Sequence, residues 1–284
     1  MVENNAILNR LFTQNVFINM LHASHCATYG TVIKRYVEDP ENKNNGALIS
    51  EIYKFMSEAY RNEYYYQNTL LNKLLLNIHS INTTTALTQI PINKSKADFI
   101  LINGKAVVYE IKTELDTFER LDTQLRDYYK AFDHVCVVTS ENHYMRAVNL
   151  LADTPVGICV LTRKGTISKR LKKTPLSDHS NLDHTAIFKV LRKHEYEQVL
   201  LQFHGKLPVA SQVFYYGECK NQFSKIPILE AYNMSLEQLK KRNRISANDF
   251  EKVPYELKSL CYFSKTLKLD WKKLIAFMNQ KYGG

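Results

Sequence analysis

The run Asp98–Lys112 reads D-F-I-L-I-N-G-K-A-V-V-Y-E-I-K. Asn103-Gly104 between two apolar runs marks the turn of a β-hairpin. Glu110 and Lys112, two residues apart on the returning strand, leave it on one face. Two carboxylates, Asp98 and Glu110, suit a hard divalent cation, and an ammonium beside them suits orientation of a water or neutralisation of developing negative charge. That combination serves hydrolysis of phosphodiesters. Register decides whether the groups meet. A two-residue turn pairing Ile102 with Lys105 sets Asp98 opposite Tyr109, on the face away from Glu110. A three-residue Asn103-Gly104-Lys105 loop pairs Ile102 with Ala106 and Asp98 with Glu110, and glycine makes the required bulge feasible. An active site here therefore predicts a bulge or irregular start to the hairpin. The plain alternative is an ordinary hairpin with polar ends.

A helix must follow. Leu121, Leu125, Tyr128 and Phe132 recur at helical intervals over residues 117–132, with Gln124 one turn before Tyr128. Upstream, Ile52, Phe55, Met56, Ala59, Tyr66, Leu70 and Leu74 trace an apolar stripe over a helix expected at residues 48–78, and Glu63 falls within that stripe. A carboxylate on a buried face is costly unless it is paired or bound to metal. An ion pair with Arg61 or a nearby lysine is the structural alternative.

Asp98, Glu110 and Lys112 resemble the D…(E/D)-x-K motif of the restriction-endonuclease-like, or PD-(D/E)XK, nuclease superfamily, with Ala97 where a proline often precedes the aspartate. Gln124-Leu-Arg-Asp-Tyr128 resembles the Q-x-x-x-Y helix of its RecB-like branch. The runs Arg61 to Asn68 and Tyr109 to Asp116 are similar to a little-characterised bacterial group of such nucleases. The resemblance implies Mg²⁺ or Mn²⁺ held by Asp98 and Glu110, with the Ile111 carbonyl and Glu63 as further ligands. It also implies Lys112 at the water or the scissile phosphate, Gln124 holding the site or the DNA, Tyr128 packing or stacking beside it, and products bearing 5′-phosphates.

The wider pattern predicts an α/β fold: a mixed-sheet core flanked by helices, with an additional mostly helical C-terminal module. Strands are expected at 85–92 (Pro91 confining that one to an edge or terminus), 98–102, 106–112, 134–139 and 156–161, with a further helix around Tyr144 to Leu151. The expected divisions are a helical extension over 1–46, a nuclease-like core over 47–177 and the helical module over 178–284. Ile7, Leu8, Leu11 and Phe12 open the extension in helical spacing, residues 22–36 give an indistinct signal, and Asp39–Gly46 reads as a polar loop. In the tail, a helix is expected from Ile187 to Phe203, Ser235 with Gln238 reads as a capped helix start, and two further helical runs include Leu257 to Phe263 and Trp271 to Met278. A helix-turn-helix over 235–257 is a minor alternative.

The formal charge of +10 over 284 residues favours a polyanion. DNA is the expected partner, and the metal site admits RNA as well. The densest cations are Arg163, Lys164, Lys169, Arg170, Lys172 and Lys173, with a turn at Arg163–Thr166; Lys240, Lys241, Arg242 and Arg244 form a second group. Each is equally a soluble surface. Five scattered cysteines without a C-x-x-C pair argue against a zinc knuckle or iron-sulfur cluster and fit a reducing compartment. His22 and His25 read as surface or local hydrogen-bond residues. There is no Walker lysine motif, no stretch of membrane-spanning length and no secretory pattern, so the expectation is a cytoplasmic protein without a membrane partner. A protein partner or homo-oligomer is compatible with this reading. Its rivals are a catalytically inactive nuclease fold used for binding, and an RNA nuclease.

Overall fold

The computed structural model describes residues 5–22, 25–76, 82–242, 250–264 and 271–283. Two compact units emerge: Met1–Leu74 with Arg163–Gly165 and Ile245–Gly284, and Leu75–Thr162 with Thr166–Arg244. These units divide the chain differently from the three segments expected, because helices beyond residue 178 share a core with the sheet.

The first unit is helical. Helices α1 (Ala6–Leu11), α2 (Gln14–His22), α3 (Ala27–Tyr36), α4 (Asn45–Ala59) and α5 (Glu63–Leu70) are joined within it by Lys258–Phe263 and Trp271–Asn279. The polar loop ends where the Asn44 side chain accepts from Ala47 N–H at 2.9 Å and caps α4. One long helix over 48–78 was expected; α4 instead stops at Ala59, and Asn62 caps a new helix by accepting from Tyr65 N–H at 3.1 Å. A wider, π-type turn follows at Leu71–Leu76, and residues 77–81 lie outside the described residues. The break resets the helical phase, so Glu63 starts α5 solvent-exposed rather than on the buried stripe. Asn68 is buried here and bridges Tyr53, the Tyr255 carbonyl and Ser259 N–H.

The second unit is built on a six-stranded mixed sheet in the order β1 (Thr85–Ile92), β2 (Ser95–Asn103), β3 (Lys105–Lys112), β4 (His134–Ser140), β5 (Gly157–Leu161) and β6 (Ile167–Lys173). β1, β2 and β3 form an antiparallel meander, with Pro91 on the edge strand as its missing N–H requires. α6 (Leu121–Tyr129) then crosses over to β4, parallel to β3, and α7 (Tyr144–Leu151) crosses to β5, parallel to β4. β6 was unforeseen: Lys169, Arg170, Lys172 and Lys173, expected beyond the last strand, lie on a strand antiparallel to β5.

The β2–β3 register is the three-residue one, with Ile102 opposite Ala106. Gly104 turns the chain at φ +73°. At the far end of β2 the ladder is irregular: Gln89 of β1, facing Asp98, has φ +54°. One face of the sheet carries Ile100, Ile102, Ala106, Val108, Val135, Val137, Ile158 and Val160. These share a single core with Leu121, Leu125 and Tyr128 of α6 and with Phe188, Val199, Phe223 and Tyr232.

That last group sits on α8 (His184–Val190), α9 (Lys193–His204), α10 (Gln212–Phe223) and α11 (Ile228–Lys240). The helix expected across 187–203 is thus two, separated at Leu191–Arg192. Ser235 is not a cap: it lies buried inside α11 and returns its hydroxyl to the Ala231 carbonyl at 2.6 Å, a bond that lets serine sit within a helix. The helix-turn-helix alternative falls partly outside the described residues, and its expected first boundary is interior to α11.

Candidate active site

Where apolar pairs on the α6-covered face give way to polar residues, the sheet places Asp98, Glu110 and Lys112. Glu110 is 1% exposed and Lys112 7%. The Lys112 ammonium donates to Glu110 Oε1 at 2.8 Å and to Gln124 Oε1 at 2.9 Å. The Tyr128 hydroxyl reaches Glu110 Oε2 at 2.5 Å and the Lys96 carbonyl at 3.0 Å. Asp98, half-buried, accepts from Ile111 N–H through Oδ2 at 2.9 Å. The side chain of β2 thereby takes a backbone donor of β3 at the irregular end of the ladder. Helical spacing on α6 aims Gln124 and Tyr128 at the same strand.

Of the two roles the resemblance implied for Tyr128, packing and stacking, the fully buried ring takes the first: it packs and holds Glu110. Burial, then the Glu110 charge, push its phenol well above the ordinary range, so the proton stays on tyrosine and its hydroxyl remains a donor. Past Lys112, Thr113 N–H and Oγ1 both bond to Asp116 Oδ2, at 2.9 and 2.7 Å, which shapes the exit from β3. Thr139 of β4 donates to the Lys112 carbonyl at 3.0 Å.

Among the described residues no group of three or more His, Cys, Asp or Glu is disposed to hold a metal. The set is a pair of carboxylates. Each Glu110 oxygen accepts one hydrogen bond and so retains a lone pair, and Asp98 accepts through Oδ2. Two carboxylates with otherwise water or phosphate ligands is a donor set that Mg²⁺ accepts. Glu63 lies in the first unit and is exposed.

The basic residues separate by environment. Arg163 and Lys164 are exposed and cluster with the first unit. Lys169, Arg170 and Lys172 are exposed on β6. Lys173 is occupied: its ammonium caps the end of α7, donating to the carbonyls of Leu151, Ala152 at 3.2 Å and Thr154 at 2.6 Å. Arg242 is also structural, gripping Glu195 with two bonds of 2.6 Å, while Arg244 lies outside the described residues. Sequence reasoning missed both roles because neither carbonyl geometry nor a partner 47 residues away has a local signature. All five cysteines are free thiols; burial pushes Cys159 and Cys261 up to about 12. No helix among the described residues is long and apolar enough to cross a membrane.

The fold and site together define an α/β protein whose mixed sheet carries a buried glutamate–lysine pair at the end of a strand. The chain belongs to the bacteriophage P4 protein cII family, whose model matches residues 56–268. No curated protein and no solved structure matches it.

Proposed function

We propose that this protein hydrolyses DNA phosphodiester bonds with Mg²⁺ or Mn²⁺, leaving 5′-phosphates, as a nuclease of PD-(D/E)XK type. The observation that carries the reading is the convergence of Glu110 and Lys112 from β3, Gln124 and Tyr128 from α6, and Asp98 from β2 at one end of one sheet face. The meander followed by a helical crossover to a parallel strand supports it.

Asp98 and Glu110 would hold the ion, with the Ile111 carbonyl as a further ligand. When bound, the ion supplies a polarised phosphate oxygen and a water of lowered pKa. Lys112 contributes the positive charge that offsets the developing phosphorane charge. Gln124, an acceptor to that ammonium, sets its direction, and Tyr128 fixes the Glu110 rotamer. The exposed cations Lys169, Arg170 and Lys172 of β6 supply a surface for the polyanion. A cytoplasmic setting suits the free thiols, and the family's description as a bacteriophage protein suits a mobile element.

The test is cleavage of closed circular DNA, linear fluorescent DNA and fluorescent RNA by the wild type and Asp98→Asn, each with Mg²⁺, Mn²⁺ or chelator. Asparagine keeps an acceptor for Ile111 N–H, so the variant folds. Metal-dependent cutting by the wild type that is lost in the variant is expected, with attack on circles marking endonuclease action. Tight DNA binding without cutting replaces the enzyme with a binding module; cutting of RNA alone replaces the substrate.

A further inference from the structure

Residues 209–217 read V-A-S-Q-V-F-Y-Y-G, with no charge in a chain that is 23% charged. They enter and begin α10, and residues 209–214 are exposed without exception. Val209 is 101% exposed, Val213 85%, Phe214 72% and Tyr216 50%. The inner face of the same helix is spent on the core through Cys219 and Phe223. α10 therefore presents Val213 and Phe214 on a second face that its own fold does not cover, with Val209 just before it and Tyr216 at the margin, half engaged by Phe188 and Tyr196.

We propose that this face is the contact between two copies of the chain, formed by α10 packing on α10 of a second copy. With aromatic side chains offering about 150–250 Å² when fully free and valines less, those four residues offer on the order of 500 Å². Two copies together reach roughly 1,000 Å², the total area that a biological interface needs to clear. Charge selects the occupant. Phosphate and anionic membrane both need free cations among the aromatic groups; none lies between Val209 and Gly217, and Lys193, 5.2 Å over the Tyr215 ring, is paired with Glu197. An uncharged apolar face is complemented by another of its kind, which a two-fold axis supplies. Antiparallel pairing of the segments about that axis also sets Lys206, exposed before it, toward Glu218, half-buried after it, on the partner copy. Gly217 sits on the outward stripe with Val213, one turn earlier, and a Cβ there meets nothing within 4 Å. It permits close approach of two helices without serving any packing inside one chain. This inference is independent of the reaction proposed above.

Sedimentation equilibrium of the full chain at several concentrations tests it. The wild type is expected as a dimer, and Phe214→Asp and Gly217→Arg as monomers. Gly217→Arg is the discriminating variant: it enters open space and replaces a helix-weakening glycine, so its circular dichroism and melting show an intact fold while the dimer is lost. Met145→Asp, at an exposed apolar residue of α7, leaves the dimer intact. A monomeric wild type at all concentrations overturns the proposal. So does a dimer that survives both α10 substitutions, or one that Met145→Asp dissolves equally.

Discussion

Glu110 and Lys112 stand 2.8 Å apart with almost no access to water, and each therefore depends on the other. Removing one member of such a pair leaves an uncompensated charge, whereas replacing both with neutral groups of similar volume is often neutral or stabilising. Lys112→Ala is thus expected to lower stability by about 3–5 kcal/mol, and Glu110→Gln with Lys112→Met to return it to within about 1 kcal/mol of wild type. Both variants lose cleavage. Denaturant melts decide the matter: a Lys112→Ala protein as stable as wild type would show that the pair contributes nothing to the fold. Because a stability loss could pass for a catalytic one, Asp98→Asn is the cleaner probe of the reaction.

Among the elements, the β2–β3 turn determines whether Asp98 shares a face with Glu110. Gly104 holds it at φ +73°, and a Cβ there meets nothing within 4 Å, so any cost of substitution is conformational. Gly104→Asn is expected to be tolerated and Gly104→Val to cost about 1–2 kcal/mol, since only the former residue visits the left-handed region readily. Equal melting of the two would refute a left-handed turn. Gly157 differs: a Cβ would fall 2.6 Å from Pro175, so that strand cannot take a side chain without displacing the segment after β6.

Two polar clamps fasten helices to the second unit. Asp133, at the start of β4, accepts from Tyr232 of α11 at 2.5 Å and from Ser177 at 3.1 Å, with His134 and His179 beside it. Burial alone would raise its carboxyl, but the hydrogen bonds from His134 and Tyr232 prevail and hold it below its ordinary value of 3.8. Glu195 is likewise held below 4.5: burial acts upward, and Arg242 overrides it. A depressed carboxyl stabilises the fold above its unfolded-state pKa, and that contribution is lost as pH falls through the folded value. Stability should therefore decline below about pH 4, and Asp133→Asn should flatten that acid limb while lowering stability near neutrality. An acid limb of unchanged slope in the variant would remove Asp133 from this account.

For the molecule as a whole, the proposed action on DNA and the formal charge of +10 together predict a polyanion affinity that weakens with salt. Lys169, Arg170 and Lys172 project from an edge strand, where lysine also discourages pairing with a foreign strand. The two roles separate by measurement. If these cations touch phosphate, the slope of log K against log salt on duplex DNA shrinks by about 0.9 for each contact removed by alanine. If they only guard the edge, the slope stays and aggregation rises. Lys173→Ala should leave the slope unchanged and lower the melting temperature, because its ammonium is committed to the end of α7.

The sequence by itself determined the α/β class, the strands β1 to β5, the confinement of Pro91 to an edge or terminus and the Asn103–Gly104 turn; it left two registers open, and the structure chose the one that pairs Ile102 with Ala106. It also set Gln124 one helical turn before Tyr128, while their place beside Glu110 and Lys112 was only what the resemblance implied. The features so determined are consequences of local periodicity and turn chemistry, which short segments carry without reference to the rest of the chain. Only the tertiary structure decided that Asn62 restarts a helix and exposes Glu63, that Ser235 bonds backward inside α11, and that I-S-K-R-L-K-K is a sixth strand. It alone made Tyr128 the holder of Glu110, and Lys173 and Arg242 structural cations. Each of those outcomes turns on a partner distant in sequence or on a competition between side-chain and backbone acceptors. Spacing sets which face a residue occupies; the free energy of what meets that face decides what the residue does.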